Sequence, residues 1–423
     1  QSRPDILFTN FQDVFGQHGN HRAMAYATVQ AFSMAGDPEV FPEHLEAGLE
    51  PWQPKKLYLP SGTGGAQSDP VELPATLTLS TGEFNEIFGA TYEQLGQQSR
   101  AYHRSQDMGS WRVEGPGSSN LHLFESFVTT AETDDALFAG LPFTVADLAD
   151  NVADATLIGQ LNDIQASIDA AFAAYPNFAE VQVAVSDALV STRAARETLA
   201  GLSDVDDAVR SDIDFRLATK EAELQYASRA ALSLVGRVSA GTPELIRGGS
   251  SEITVSAYLG GQTDVDNLAL SVVVPEGWTV ESLDEDAPAT TLSNSETVSA
   301  TWLITAPEDA PFYNPYRRNV HPFLANGDVY GVISYEVDGV PFEVTVDSPE
   351  IIGVLPDVSL RVSPENLVLN TLTDTDSLTV SVAATSYSVD AASTTIYVDA
   401  PEGWVVEPES VEVSFARQGD AAG

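Results

Sequence analysis

The sequence predicts a multidomain chain: an α/β (Rossmann-like) portion over residues 1–143, an α-helical segment over 144–240, and two all-β, Ig-like sandwiches over 241–355 and 356–423, the second incomplete. Three observations predict it. Short β-branched runs alternate with amphipathic stretches in the first third. An Ala-rich region with helical apolar spacing follows. The helical signal then stops, and short alternating strands with regular turns take over. With 423 residues the chain is long enough for such a division, at roughly 100–200 residues per domain.

In chain order, "RPDILFTN" is a short β-branched run closed by a polar turn, and residues 20–35 form an amphipathic stretch, so the chain opens as strand, loop, helix. "KKLYLP" (55–60) and "ATLTLS" (75–80) are two further strands, and "TYEQLGQQSRAYHRSQDMG" (91–109) is a helix with Leu95, Ser99, Tyr102 or His103, and Gln106 on one face. A domain that opens on a strand without a lead-in predicts that residues precede it. From Thr144 to Ala240, Leu148, Val152 and Ala155, then Leu161, Ile164 and Ile168, then Val209, Ile213, Leu217 and Leu224 keep helical spacing. Pro176 and the segment 201–207 divide this stretch into about three helices, read as a spacer or cap.

Strands then follow as "EITVSAYL", "LALSVVV", "VSATWLIT", "YGVISYEV" and "FEVTVD", and from Pro356 as "VSLRVSP", "LTVSVAATSY", "TTIYVDA" and "VEVSFA". An internal repeat links the two sets: "VVVPEGWTVES" (272–282) recurs as "VDAPEGWVVEP" (398–408), 126 residues later. The reading is a strand-end turn with Trp278 or Trp404 packed on its sandwich. The second set is one strand short of a sandwich, which predicts that the chain is cut at this end as well.

Composition narrows the chemistry. Asp and Glu number 62 against 19 Lys and Arg, of which only 3 are Lys, for a net charge of −43 spread along the chain. Such a surface repels nucleic acid and anionic membranes. Cysteine is absent, which excludes disulfides and thiolates and leaves His, Asp and Glu as metal ligands. No run of 18 apolar residues is present to span a membrane, and no charged n-region followed by an apolar h-region is visible.

Only six histidines occur, and two stand three apart in "FGQHGNHRAMAYATVQAF" (15–32), at the start of the first helix. His-x-x-His puts two imidazoles about one helical turn apart, at the carboxyl end of a strand where α/β sheets bind ligands. A catalytic zinc takes three protein ligands and an open position, so the pair alone is insufficient. His44, His122 and His321 have no ligand-spaced neighbours and read as surface or core-satisfied residues. "GTGG" (62–65) lacks the Lys-Ser/Thr of a phosphate loop, and no Gly-x-Ser-x-Gly elbow occurs.

"RPDILFTN…GQHGNHRAMAYATVQAF…LEPWQPKKLYL" resembles the C-terminal part of the catalytic domain of the LmbE-like (PIG-L) family of zinc-dependent N-acetylglucosamine deacetylases, and "SRAYHRSQDMG" (99–109) is similar to a second block of that family. The "ALFAGLPFTVADLA" stretch, the helical segment and the Trp-bearing sandwiches resemble the extension of large secreted members, with NEW3-like sandwiches. The resemblance implies Zn2+ as cofactor, His21 as metal ligand and His18 as the electrophilic or general-acid catalytic residue, with His103, Gln106 and Asn20 as candidates to line the site and a hydrogen-bonded structural role as the alternative for His103. It implies attack of zinc-acidified water on an acetamide carbonyl, with an imidazolium stabilising the oxyanion or protonating the departing amine.

Two departures stand out. Asn20 occupies the position between the histidines where many members carry Asp. The Ala-His-Pro-Asp-Asp motif that supplies the family's remaining ligands and general base is absent, and is expected on an upstream segment. The implied substrate is an N-acetylated amino sugar or glycan, with a cell-surface glycan as partner and a secreted or cell-surface location. The alternative is a catalytically inactive, surface-associated carbohydrate-binding or structural protein on the same scaffold.

Overall fold

The computed structural model describes all residues except 1, 47, 63–71, 107, 110–116, 285–288, 315–322, 367–376 and 423, and it omits the Gln106 side chain. The chain divides into two units, Gln1–Asp147 and Leu148–Gly423. Among the described residues, no helix is long and apolar enough to cross a membrane.

The first unit contains β1 (Ile6–Phe8), α1 (Gly19–Met34), α2 (Glu43–Glu46), β2 (Lys56–Pro60), β3 (Leu77–Ser80), β4 (Phe84–Asn85), β5 (Ala90–Thr91), α3 (Tyr92–Arg100) and β6 (Ser118–Ser126). The apolar alternation that predicts β1 and β2 places them side by side and parallel, Ile6 opposite Lys56 and Phe8 opposite Tyr58, with α1 in the crossover between them. The sheet order is β1-β2-β6-β3, and β6 runs antiparallel to both of its neighbours. One βαβ unit inside a mixed sheet is therefore what the described residues show, rather than the row of parallel strands expected of a Rossmann-like portion. Tyr58, Leu77, Leu121 and Leu123 form the buried core of this sheet, with Ile6, Leu79 and Leu137 packed on it.

The helix expected over 91–109 is shorter. A capping box fixes its start, Thr91 Oγ1 accepting from Gln94 N at 3.1 Å and Gln94 Oε1 accepting from Thr91 N at 2.9 Å. It ends at Arg100, and a single 3₁₀ turn follows at Arg104–Gln106. Tyr102 is 69% exposed, so residues beyond Arg100 bring little apolar surface to bury. Gly109, at φ +74°, then folds back on the helix end; a Cβ there would stand 2.6 Å from Gln97 O.

The second unit begins with α4 (Ala155–Ala174), α5 (Phe178–Gly201) and α6 (Asp207–Ala231). Asp154 and Asp206 cap α4 and α6 through their carboxylates, and Pro176 lies between α4 and α5. Expectation and structure part at residue 234, because β7 (Leu234–Ala240) is a strand paired antiparallel with β9 (Ser250–Leu259), not the end of the helical segment. Between them lies the short β8 (Glu244–Leu245), followed after β9 by β10 (Asp266–Val273), β11 (Thr279–Ser282), β12 (Thr297–Thr305), β13 (Tyr330–Val337), β14 (Val340–Asp347) and β15 (Gly353–Val354).

Sheets β11-β12-β9-β7 and β10-β13-β14 form the first sandwich. Ile253, Val255 and Ala257 of β9 share one core with Ile333 and Tyr335 of β13 and Val344 of β14, and Val185, Ala188 and Leu189 of α5 and Leu224 of α6 enter the same core. The helices are thus a cap on the sandwich. Tyr335 Oη and Ser228 Oγ of α6 lie 3.0 Å apart, Arg193 Nη1 of α5 donates to Pro341 O at 2.7 Å, and Glu343 N donates to Gln225 Oε1 at 2.7 Å.

The remaining strands are β16 (Val358–Ser363), β17 (Ser381–Ser386), β18 (Ala392–Ile396), β19 (Val411–Phe415) and β20 (Ala421–Ala422). They form a β16-β17-β20 sheet and a β18-β19 pair around Ala384, Ile396, Val413 and Phe415. Both copies of the repeat make the same turn. Trp278 N donates to Pro275 O at 3.3 Å and Trp404 N to Pro401 O at 3.2 Å, with Gly277 at φ +85° and Gly403 at φ +93°. Positive φ at the third position of such a turn calls for glycine. Trp278 packs on the sandwich as expected; Trp404 differs and is 42% exposed.

Candidate functional site

Residues 9–18 carry the chain from the end of β1 to α1. Gln12, which is buried, ties this loop to the end of β2 by donating from Nε2 to Pro60 O at 2.9 Å and to Gly62 O at 3.1 Å. Gly16 at φ +95° turns the chain, and Arg22 Nε donates to Asp13 Oδ1 at 2.7 Å across the first turn of α1. His18 is the residue before the helix, with φ −61° and ψ 144°, and its carbonyl accepts the first helical bond from Arg22 N at 3.0 Å.

This anchoring brings the His18 and His21 rings together, with centroids 5.1 Å apart. The His21 ring also lies flat on Phe11, 3.9 Å between centroids and 2° between planes. Its Nδ1 donates to Gln17 Oε1 at 3.2 Å. Because an amide oxygen only accepts, Nδ1 is the donor in this bond, the kind of partner that usually orients a metal-ligating imidazole. His18 is exposed and His21 half-buried.

The fit to zinc is partial. One oriented imidazole and a second beside it are present, yet no group of three or more His, Asp or Glu suited to a metal occurs among the described residues, against the three protein ligands of a catalytic zinc. Asn20 is exposed in the first turn of α1. His103, also exposed, bonds through Nδ1 to Arg100 O at 3.1 Å, at the end of α3; no contact between it and His18 or His21 is described. The Gln106 side chain, His321 and residues 63–65 of "GTGG" lie outside the described residues. His122 Nδ1 bonds to Pro74 O at 2.9 Å, and His44 stacks on Phe41 at 5.4 Å, both local roles.

The sequence reading missed a buried polar cluster on β2. Lys56 Nζ donates to Asp134 Oδ1 at 2.8 Å, and the Tyr58 hydroxyl bonds to the two oxygens of that carboxylate at 2.8 and 3.0 Å. Lys56 Nζ reaches Leu137 O at 3.2 Å and Ala136 O at 3.4 Å as well. Burial, then the bond to Asp134 and its charge, push the Tyr58 hydroxyl far above the ordinary phenol range. Lys56 and Asp134 side chains are fully buried, so the cluster holds the sheet together and presents nothing to a substrate. The sequence offered little signal, since Lys56 stands at the head of the strand directly after Lys55.

Residues 245–316, within the first sandwich, match the family described as NPCBM-associated, NEW3 domain of alpha-galactosidase. No curated protein matches the chain. Similar solved structures include the GAE domain of GGA2p from Saccharomyces cerevisiae, at 14% identity and a TM-score of 0.19, covering 27% of this chain and 85% of that one. Another is the sporulation control protein Spo0M from Bacillus subtilis, at 14% identity and a TM-score of 0.17, covering 29% and 50%. A GH20 exo-β-N-acetylglucosaminidase from Vibrio harveyi in complex with N-acetylglucosamine has 12% identity and a TM-score of 0.19, covering 39% of this chain and 24% of that one. At these TM-scores none of the three speaks to what this chain does. The LmbE-like reading of residues 1–110 rests on its sequence blocks, whereas residues 245–316 carry the match to the NEW3 domain family.

Proposed function

We propose that the protein is a zinc-dependent N-deacetylase acting on an N-acetylglucosamine-type sugar or glycoconjugate, secreted or held at the cell surface, with its sandwiches directing it to a glycan. The observation that carries this reading is the His18–His21 pair at the start of α1, with His21 Nδ1 tied to Gln17 Oε1. The carbohydrate-associated domain at 245–316 supports the substrate class. His21 would be one zinc ligand, and the described residues do not furnish the full set. His18, exposed beside it, is the group that would pass a proton to the departing amine.

The test is acetate release from N-acetylglucosamine conjugates by zinc-loaded protein, together with zinc content. His21→Ala is expected to lower zinc affinity and acetate release by about 100-fold or more, and His18→Ala to keep zinc while losing turnover. Unchanged release from His21→Ala would sink the proposal. The missing third ligand among the described residues favours a second reading, a carbohydrate-binding or structural protein without activity. Glycan binding with neither zinc nor acetate release would select it.

A further inference from the structure

The two sandwiches share sequence but bury it to different extents. Ile-Thr-Val-Ser at 253–256 is part of β9, and it recurs as Leu-Thr-Val-Ser at 378–381. Ile253 and Val255 are fully buried, whereas Leu378 is 37% exposed. Trp278 packs against Ala306, Ala310 and Val354, whereas its counterpart Trp404 and the following Val405 are exposed.

Strand pairing accounts for the difference. β9 lies between β7 and β12, and β12 pairs with it from Ser250 to Tyr258. β17 likewise lies between β16 and β20, yet β20 meets only Ala384 and Thr385. Among the described residues, Ser381, Val382 and Ala383 are therefore paired toward β16 and open on their other edge. In β12, the alternate residues Val298, Ala300, Trp302 and Ile304 belong to or pack on the first core. The chain then runs through Ala306 and Ala310, which cover Trp278. One strand thus closes both the edge and the tryptophan face.

An open edge beside bare apolar side chains is what β-strand addition uses, with backbone bonds supplying affinity and alternate side chains entering the core. The first sandwich specifies the strand that fits. It runs antiparallel to β17, carries an apolar residue at every second position and ends in an Ala-Pro turn. β12 itself is held between β9 and β11, in this copy and in any other, so the strand comes from a different polypeptide.

We propose that the open edge of β17 and the Trp404 face form an acceptor site for an extended strand of a partner polypeptide with this pattern. The site is separate from the chemistry at His18 and His21.

The probe is a synthetic peptide of residues 297–311, TVSATWLITAPEDAP, added to the full chain in about 0.15 M salt, which screens like charges beyond about 8 Å. Amide hydrogen exchange and sedimentation are the readouts. Saturating peptide is expected to slow exchange at Ser381–Ala383 and around Trp404 by about tenfold or more. The same peptide with Ala300→Asp and Ile304→Asp should give no protection, because two carboxylates would have to enter an apolar core. Trp404 is exposed, so Trp404→Ala should keep the melting temperature while weakening peptide binding by about fivefold or more. Phe143→Ala, at an exposed aromatic of the first unit, should leave binding unchanged. Absence of protection, equal protection by the substituted peptide, or an affinity indifferent to Trp404→Ala would overturn the proposal. So would a chain that sediments as a dimer with Ser381–Ala383 already slow to exchange, because a second copy would then be the occupant.

Discussion

Lys56 has no route to water, and a buried ammonium is tolerated only when its desolvation is offset by charge and hydrogen bonds of good geometry. Asp134 supplies the charge at 2.8 Å, and Leu137 and Ala136 supply carbonyls. Removing one partner should therefore cost more than the pair is worth. Asp134→Ala is expected to destabilise the first unit by about 3–5 kcal/mol, whereas replacing Lys56 and Asp134 together by Met and Leu should cost far less. Urea unfolding of the three proteins reads the difference. Equal losses in the single and double variants would mean that packing rather than charge pairing holds β2 in place. The same reasoning explains why the cluster escaped the sequence: Lys56 follows Lys55 in what looks like a polar strand start, and Asp134 is 78 residues away.

The helices show what an element's own sequence can and cannot reveal. Pro176, the caps at Asp154 and Asp206, and the buried rows Leu157–Leu161–Ile164 and Ile213–Leu217–Leu224 are local signals, so α4, α5 and α6 were legible. The start of β7 was not, because the chain leaves α6 at Ser233, a non-glycine residue at φ +50° that carries no Gly or Pro marker. Nor was the antiparallel direction of β6, since pairing direction depends on residues distant in sequence. The His18–His21 pair was legible from its spacing; the bond to Gln17 that orients His21 depends on the loop pinned by Gln12 and was not. Packing of α5 into the sandwich gives a direct test. Leu189 is fully buried in the shared core, whereas the next residue, Val190, is 51% exposed. Leu189→Ala should lower stability by about 2–5 kcal/mol and Val190→Ala by well under half of that, both read by denaturant unfolding of the sandwich signal. Equal, small effects would return α5 to the role of a spacer.

At the scale of the whole molecule, the excess of 62 acidic over 19 basic residues is a long-range repulsion that no single contact records. Such ion pairs as Arg193–Glu221 and Arg196–Asp214 use basic groups that the carboxylates outnumber 62 to 19. That self-repulsion opposes compactness, and mobile ions remove it over a distance set by the Debye length, about 30 Å at 0.01 M, 10 Å at 0.1 M and 3 Å at 1 M. Buried pairs such as Lys56–Asp134 are screened little, so added salt should relieve the repulsion without weakening the core. The melting temperature is expected to rise as potassium chloride goes from 0.01 to 1 M, by about 2–4 °C for each kcal/mol gained in units of this size. Most of the gain should come below about 0.3 M, because the Debye length has by then fallen below 10 Å. Sodium sulfate at matched ionic strength distinguishes screening from surface exclusion, which strengthens burial in any protein. A rise in both salts with the same early plateau is the signature of charge. A rise confined to sulfate, or a flat response to potassium chloride, would mean that the acidic surface is spaced widely enough to cost the fold nothing.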